Sequence, residues 1–353
     1  MTKYPVFDGH NDTVLNLLRP DRGQGRTFFE RSDIGHIDLP RAKEGGFAGG
    51  FFAMFVPNPP EEYDIMKLMR EKNPDNIPLP PPLKLPFAQQ QAFAMLRILF
   101  DIEKESDGQV TITRTVDELV TAIDNDILAM ILHFEGAEPI DTNLDALEVF
   151  YQAGLRSIGL VWSRPNDFAC GVPFKFNTTP DTGDGLTDAG KALVKACNEL
   201  GIMLDLSHLN EKGFWDVAKY SDAPLVATHS NVHALCPTPR NLTDKQLDAV
   251  KESDGIVGLN FACGFLREDG KHDANTPIAT MVKHIDYLVE RIGIDRVALG
   301  SDFDGATIPS EIKDVAGLPK LIDALKSAGY GDEALQKITH QNWLRVLGKT
   351  WKD

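Results

Sequence analysis

Eight short apolar segments recur along the chain and alternate with helical patterns, which strongly limits the folds open to it. Their centres are near-continuous runs of Val, Ile, Leu and Phe with interspersed Gly, as is typical of strands buried on both faces of a parallel sheet. The predicted strands are residues 4–10, 47–56, 129–135, 155–162, 202–208, 224–229, 255–262 and 296–302. Parallel strands that alternate with helices predict an α/β fold, a (β/α)8 TIM-type barrel. At 353 residues, one such barrel domain over residues 1–353 accounts for the whole chain.

The helical patterns between these strands carry start and stop signals. A capping box of Thr115 and Glu118 opens one of them, and glycine ends two others, at Gly201 and Gly293. The predicted helices include residues 115–125, 187–201 and 277–291, with further N-caps at Asn210 and Thr243.

One interval between strands is too long for a simple crossover helix. Residues 57–128 separate the second and third predicted strands and hold two Pro-rich stretches, at 57–60 and 74–86, before a helical pattern from about Ala88 to Lys104. Because long connections in compact domains are usually functional, we expect an excursion across the mouth of the barrel that serves as a lid or as a homodimer contact. A surface decoration without function is the alternative.

Composition and charge exclude two classes of partner. The net charge is -16, from 52 acidic against 36 basic residues. Because phosphate contacts require a basic face, we expect neither nucleic acid nor a membrane as partner. No apolar run approaches membrane-spanning length, and the N-terminal residues lack an apolar signal core. We therefore expect a cytoplasmic location.

The four cysteines form no C-x-x-C pair and are expected to be free thiols: Cys170, Cys197, Cys236 and Cys263.

Five of the predicted strands end in residues that can bind metal ions. The first ends in His10-Asn11-Asp12, and side chains two apart share one face of a strand. In a (β/α)8 barrel such strand ends meet at the face where active sites lie. Imidazole and carboxylate ligands suit two divalent ions at a hydrolytic site, most often zinc, with manganese, iron or cobalt as alternatives. The six candidate ligands are His10, Asp12, Glu135, His208, His229 and Asp302.

Other polar residues near these strand ends have simpler structural interpretations. His133 and Asp8 each share a face with a candidate ligand, so we expect them to support that ligand or to lie in the core. His233 is expected at most to line the cleft. The remaining histidines are expected at the surface: His36, His272, His284 and His340. The sequence contains no G-x-S-x-G, Walker A or Rossmann fingerprint.

The combined motifs resemble those of the membrane (renal) dipeptidase family, which consists of binuclear zinc enzymes in the amidohydrolase superfamily. The resemblance runs from about residue 4 to residue 347. Besides the six ligands, it rests on Gly-Ser-Asp-Phe-Asp-Gly at 300–305 and on the closing Asn342-Trp343-Leu344-Arg345.

The resemblance implies a role for each ligand. The His-x-Asp pair of the first strand would bind one zinc ion and His208 and His229 the other, with Glu135 bridging the two ions. It further implies that a hydroxide shared by the two ions attacks the scissile bond of a dipeptide. Asp302, beside the first ion, would then carry the proton to the leaving amine.

The resemblance also assigns substrate contacts. Arg240 matches the family arginine that holds the terminal carboxylate of the dipeptide, a task that suits a guanidinium fork. The alternative is a surface arginine after a Pro turn. Asn260 is a further candidate contact, although Ala262 stands where a tyrosine is expected two residues later.

A second departure from the family lies after the fourth strand. Trp162 stands where animal members carry a histidine that helps to polarise the carbonyl. We expect Trp162 to pack beneath the substrate, and Arg164 or Asn166 to supply a hydrogen-bond donor in place of that histidine.

These observations favour a binuclear zinc dipeptidase that accepts dipeptides, including ones with a D-residue at the C-terminal position, because the family tolerates that stereochemistry. A metal-dependent deacylase or amidase, acting on N-acyl amino acids or another small amide, is the first alternative. It would not need a free amino terminus on its substrate. A metal-bound binding protein without catalysis is the second alternative, and the intact ligand set argues against it.

Overall fold

A computed structural model describes residues 3–59, 61–63 and 77–352 of the chain. Within these ranges nine strands form one parallel sheet. The strands are β1 (Val6–Asn11), β2 (Phe47–Phe55), β3 (Val110–Ile112), β4 (Leu128–Glu135), β5 (Leu155–Gly159), β6 (Met203–Asp205), β7 (Val226–Ala227), β8 (Ile256–Leu259) and β9 (Val297–Leu299).

Eight of these strands close into a barrel. The sheet runs β2-β1-β9-β8-β7-β6-β5-β4, and β4 pairs again with β2, from Gly49 opposite Ala129 to Phe55 opposite Glu135. Helices connect the strands, so the prediction of a (β/α)8 barrel is confirmed. Because the strands are all parallel, their carboxyl ends share one face of the barrel, which is where sites lie in this fold.

The helices cover most of the predicted helical patterns. They are α1 (Thr13–Leu18), α2 (Pro20–Gly23), α3 (Leu39–Gly45), α4 (Leu85–Glu105), α5 (Val116–Asp124), α6 (Asp145–Ala153), α7 (Asp188–Leu200), α8 (Glu211–Tyr220), α9 (Asp244–Glu252), α10 (Cys263–Leu266), α11 (Ile278–Ile292), α12 (Leu318–Ser327), α13 (Asp332–Gln336) and α14 (Asn342–Thr350). The predicted caps at Thr115, Asn210 and Thr243 begin α5, α8 and α9. None of the helices in the described part of the chain is both long and apolar enough to cross a bilayer.

The closing Asn-Trp motif has a structural task at the floor of the barrel. Trp343 is fully buried in a cluster that takes inward residues from several strands, such as Phe51. The ring of Trp343 lies 5.1 Å from that of Phe51, and Phe51 lies 6.1 Å from His133. His133 in turn meets His10 edge to face at 5.6 Å. An unbroken column of rings therefore supports the strand ends from below.

The long interval between β2 and β4 is only partly a loop. The predicted helix at 88–104 is the middle of α4, which is packed through Ala92, Met95 and Leu99. A short strand, β3, then pairs with the start of β4, and this strand is missing from the sequence prediction. Residues 60 and 64–76 of the interval lie outside the described residues, and a lid or a homodimer contact stays a prediction.

Candidate metal centre

The six candidate ligands gather at the carboxyl face of the barrel, and none of them is more than 9% exposed. Glu135, at the end of β4, is at the centre of the group. Its Oε1 lies 3.1 Å from Nε2 of His208, 3.5 Å from Nε2 of His229 and 3.7 Å from Nε2 of His10. One carboxylate therefore faces three imidazoles that come from three different strand ends.

Two overlapping groups of ligand atoms occupy this face. His10, Glu135 and His229 form one, and His10, Asp12 and Asp302 form the other, with the ligand atoms of each group within 4.8 Å of one another. The ends of β1 and β9 run side by side here, since Asp12 N donates to Phe303 O and Asp302 N donates to His10 O. This pairing is what brings the two aspartates together.

The donor set fits divalent cations. Among the described residues, both ring nitrogens of His10 and Oδ1 of Asp12 are buried without a hydrogen-bond partner. Buried polar groups in proteins are nearly always satisfied, and three carboxylates buried together repel one another. Cations held between these groups would remove both costs, and imidazole with carboxylate is a ligand set that zinc accepts.

The electrostatics of the cluster favour bound positive charge. Burial raises the pKa of the Glu135 and Asp302 carboxyls and lowers the pKa of His208 and His229 well below its usual range, which keeps both imidazoles neutral and able to bind metal. Burial also opposes charge on His10, but Glu135, Asp12 and Asp302 outweigh it and raise the pKa of His10 to about 10. The same carboxylate field would hold a metal ion.

Hydroxyl groups orient two of the histidines. Ser163 Oγ lies 2.8 Å from Nδ1 of His208. Thr228 Oγ1 lies 2.8 Å from Nδ1 of His229 and donates to Asp205 at 2.6 Å, so it is free to accept from that ring. Bonds of this kind fix which nitrogen of a ligand histidine faces the metal, and here they leave Nε2 of each ring pointing towards Glu135.

The backbone is unusual at two of the ligands. His208 has φ 67° and Asp302 has φ 59°, a left-handed conformation that residues with a Cβ seldom adopt and that is concentrated at functional sites. Both residues follow short strands, β6 and β9, which end three residues before them. The predicted strands 202–208 and 296–302 are therefore too long, because the chain leaves the strand conformation before His208 and Asp302 and turns their side chains towards the cluster.

Comparison with known proteins identifies the family. The model of the membrane dipeptidase family, peptidase family M19, matches residues 1–352. The chain belongs to this family. The crystal structure of a metallo peptidase from Rhodobacter sphaeroides, liganded with a phosphinate mimic of the dipeptide L-Ala-D-Ala, is 51% identical and covers 99% of both chains with a TM-score of 0.95.

Two further relatives support the assignment. An uncharacterised Klebsiella pneumoniae protein from the pqqA 5' region is 50% identical over 257 residues, which is 73% of this chain and 95% of that protein. Dipeptidase tcpJ of Claviceps purpurea is 27% identical over 346 residues, 96% of this chain and 76% of that protein. As a member of the M19 family, the chain is a metal-dependent peptide hydrolase, which confirms the resemblance found in the sequence.

A buried hub next to the ligands fixes the loop that carries Asp302 in this M19 enzyme. Asp304 accepts hydrogen bonds from Thr13 Oγ1 at 3.0 Å, Arg26 Nη2 at 3.2 Å and the backbone N–H of His36 at 2.6 Å. Because Thr13 directly follows Asp12, and Asp304 lies two residues after Asp302, the carboxylate of Asp304 links the two segments that carry these candidate ligands. His36, predicted at the surface, is half-buried with its side chain 24% exposed, and its Nδ1 accepts from Asp304 N at 2.7 Å.

His284 corrects the sequence prediction. It is fully buried and its Nε2 lies 2.9 Å from Leu266 O, so the surface prediction is wrong for it. His284 lies three residues after Met281 and four before Leu288, so it shares the apolar face of α11 with them. This helical spacing can be read in the sequence and predicts a buried position.

Gly305 allows the two aspartates to approach each other. A Cβ at this position would overlap carboxylate oxygens of both Asp12 and Asp302. We expect Gly305→Ala to lower metal affinity about 10- to 100-fold, as loss of ligand support does, with little change in thermal stability because Gly305 is exposed. Gly348→Ala on α14, where a Cβ meets nothing, is the control. Equal metal affinity of the two variants, measured by calorimetric titration, would contradict this packing argument.

Arg240 is not a surface residue. It is 2% exposed, and its Nη2 donates to His229 O at 2.9 Å. Burial lowers the pKa of Arg240 to about 10, against the attraction of Asp302 and Glu135, so it still carries its charge at neutral pH. Among the described residues its Nε has no hydrogen-bond partner. The structure therefore places an incompletely satisfied cation beside the metal ligands.

The other predicted substrate contacts differ in their surroundings. Trp162 is half-buried, and its ring centroid lies 5.9 Å from that of His208. Asn260 donates to Asp302 Oδ2 at 2.9 Å and so holds the predicted proton carrier. Asn166 is used in a local turn, where its Nδ2 donates to Leu160 O and its Oδ1 accepts from the N–H of Phe168 and Ala169.

Arg164 is not a free donor either. It is fully buried and donates to Glu138 Oε1 at 2.6 Å, to Asn58 Oδ1 at 3.0 Å and to Val56 O at 2.6 Å. Three of the five guanidinium hydrogens of Arg164 and one of the two amide hydrogens of Asn166 are therefore already donated to protein acceptors. A donor role of either residue towards the substrate stays a prediction.

Arg164 should matter for stability. We expect Arg164→Ala to lower the free energy of unfolding by about 3–5 kcal/mol, because the carboxylate of Glu138 is then left buried and unpaired. Arg97→Ala removes an ion pair whose arginine is 71% exposed and should change stability very little. Urea unfolding measures both. Unchanged stability of Arg164→Ala together with a raised KM would instead restore the predicted contact with substrate.

Proposed function

We propose that this protein is a dipeptidase that uses two zinc ions and accepts a D-residue at the C-terminal position of its substrate. The observation that carries the proposal is the position of Glu135, whose Oε1 lies within 3.7 Å of Nε2 of three histidines. A carboxylate has two oxygens, so one that faces histidines from three strand ends is suited to bridge two ions.

The family resemblance supplies the division of these side chains between two ions. By it, His10 and Asp12 would hold one ion, and His208 and His229, whose Nε2 atoms lie 3.2 Å apart, would hold the other, with Glu135 shared. Two ions held there would supply Lewis acidity towards the scissile carbonyl and lower the pKa of a water molecule.

Asp302 is suited to move the proton. Its carboxyl is buried, and its oxygen lies within 4.8 Å of ligand atoms of His10 and Asp12, which is where an attacking water would be held. Asn260 Nδ2 donates to its Oδ2 and thereby fixes the orientation of the carboxyl. In the proposed reaction Asp302 takes a proton from the attacking water and gives it to the leaving amine.

The place of Arg240 limits the length of the substrate. Its guanidinium donates to the backbone of His229, a candidate metal ligand, so a terminal carboxylate bound there would lie about one residue from the scissile bond. A charge-assisted fork suits that carboxylate. A chain that continued beyond this residue would have no carboxylate at this position, which favours dipeptides over longer peptides.

The proposal of a D-residue rests on a relative. The Rhodobacter sphaeroides enzyme, 51% identical over 99% of this chain, was crystallised with a mimic of L-Ala-D-Ala. We extend that stereochemistry to this chain as part of the proposal.

A substrate screen tests the proposal. The zinc-loaded enzyme would be assayed with L,L- and L,D-dipeptides, the same compounds N-acetylated, and a tripeptide. We expect hydrolysis of the free dipeptides, including L,D forms, and little hydrolysis of the tripeptide. Preference for the N-acylated compounds would favour the deacylase alternative, and no hydrolysis of any amide would contradict both.

A further inference from the structure

Four aromatic rings form a continuous line beside the metal ligands, and we call them the aromatic wall: Phe55, Trp162, Phe174 and Phe265. Successive ring centroids lie 4.8, 5.4 and 6.3 Å apart, and the last two rings are parallel to within 7°. These separations are those of packed aromatic pairs, so the four side chains act as one surface. Their residues come from β2, from the segment after β5, and from α10.

The wall joins the two ends of the proposed substrate site. At one end the ring of Phe265 lies 5.2 Å from the guanidinium carbon of Arg240. Further along, the ring of His208 lies 5.9 Å from Trp162 and 6.3 Å from Phe174. The line of rings therefore runs from the arginine that would hold the carboxylate to a histidine that would hold a metal ion.

One end of the aromatic wall packs against a fixed guanidinium, and its two middle rings are the ones that solvent reaches. The guanidinium of Arg164, fixed by Glu138, lies 5.4 Å from the ring of Phe55 and 5.6 Å from that of Trp162. Phe55 and Phe265 are 9% and 7% exposed, whereas Trp162 and Phe174 are half-buried. The surface left for a ligand thus belongs to the middle pair, Trp162 and Phe174.

We propose that the aromatic wall receives the side chain of the substrate's C-terminal residue and makes the enzyme select dipeptides with an apolar residue there. The inference rests on the proposed function. In a dipeptide, the C-terminal residue lies between its carboxylate and the scissile carbonyl. With those two groups at Arg240 and at the candidate metal ligands, its side chain would pass the partly exposed rings of Phe174 and Trp162. An apolar side chain gains by covering these rings, whereas a charged one would lose water without gaining a partner.

The selectivity of the enzyme tests this assignment. The zinc-loaded wild type and Phe174→Ala would be assayed with Ala-Gly, Ala-Leu, Ala-D-Leu and Ala-Asp. We expect the wild type to prefer leucine, in at least one configuration, over both glycine and aspartate. In Phe174→Ala, kcat/KM for that leucine substrate should fall about 10- to 100-fold relative to Ala-Gly, the range expected when a pocket loses its hydrophobic contacts. The ratio of two substrates does not depend on the fraction of active enzyme, so partial misfolding cannot imitate this result.

Two further variants sharpen the test. Phe174→Leu keeps an apolar side chain and should retain part of the preference for leucine. Phe93→Ala removes a 52% exposed phenylalanine of α4 that stacks on Phe150, and it should leave the ratio unchanged.

The outcomes separate this inference from the proposed function. If the wild type hydrolyses dipeptides but Phe174→Ala lowers kcat/KM equally for all substrates, or if Ala-Asp is as good a substrate as the better of Ala-Leu and Ala-D-Leu, the dipeptidase function stands and the aromatic wall is not the pocket. If the wild type hydrolyses no dipeptide, the proposed function fails and this inference fails with it.

Discussion

We expect Asp302→Asn to lower kcat by about 100-fold or more, the usual contribution of a positioned general acid–base group. Asparagine has nearly the same shape and keeps an oxygen that can accept from Asn260, which contacts Asp302 at 2.9 Å, but it cannot carry the proton. The fold and much of the metal binding should therefore persist. Steady-state kinetics on protein of known metal content measure the effect, and Asp323→Asn, at a side chain 74% exposed, is the control.

A kcat for Asp302→Asn within a few-fold of the wild type would contradict the role given to Asp302. Asp304 is the nearest alternative in the sequence, but it is held by Thr13, Arg26 and His36 and has no freedom to move a proton between water and substrate. A near-normal variant would therefore require a proton carrier outside the 302–305 segment.

The second large effect concerns Arg240. We expect Arg240→Ala to weaken transition-state binding by about 2–4 kcal/mol, which is roughly 30- to 1,000-fold in kcat/KM, because a buried charge-assisted fork to the terminal carboxylate is lost. Arg240→Lys should restore only part of the rate, since an ammonium lacks the planar fork. The variants are compared by kcat/KM on one dipeptide.

An amidated dipeptide provides the internal control for Arg240. The wild type should hydrolyse it poorly, because its terminal group has no charge, and Arg240→Ala should discriminate far less between the amidated and the free dipeptide. If the wild type cleaves both alike, the carboxylate is not recognised, and the account shifts towards an amidase with another recognition element.

The sequence was sufficient to predict which candidate ligands lie together, because the fold makes strand ends converge. Apolar runs indicate the strands, and because parallel strands end at one face of the barrel, the sequence alone predicts that His10, Glu135 and His229 lie together. The six candidate ligands could be chosen since each is local to a strand end, and the structure gathers those six side chains in one buried cluster. Their role as metal ligands stays a prediction.

The limits of the strands could not be read in the same way. The apolar pattern of Leu204-Asp205-Leu206 continues beyond the last residue of β6, so nothing in it signals the left-handed turn at His208. The short strand β3 was missed because three residues at 110–112, within a long polar and Pro-rich interval, give too weak a periodicity to distinguish from a loop.

Partners that are distant in the sequence account for the remaining differences. Arg164 was expected to face the substrate, but it bonds Glu138 and Asn58, which lie 26 and 106 residues away. Phe174 carried no signal, because it lies in an irregular segment between β5 and α7. Only the packing of several strand ends against one another shows that it stands beside His208.

Metal content measured together with activity tests the central claim most directly. Protein purified without chelator should contain about two divalent ions per chain by elemental analysis, lose dipeptide hydrolysis when a chelator removes them, and regain it with two equivalents of zinc. Protein that contains no metal, and whose hydrolysis of dipeptides is unchanged by chelation, would contradict the assignment of His10, Asp12, Glu135, His208, His229 and Asp302 to a metal centre.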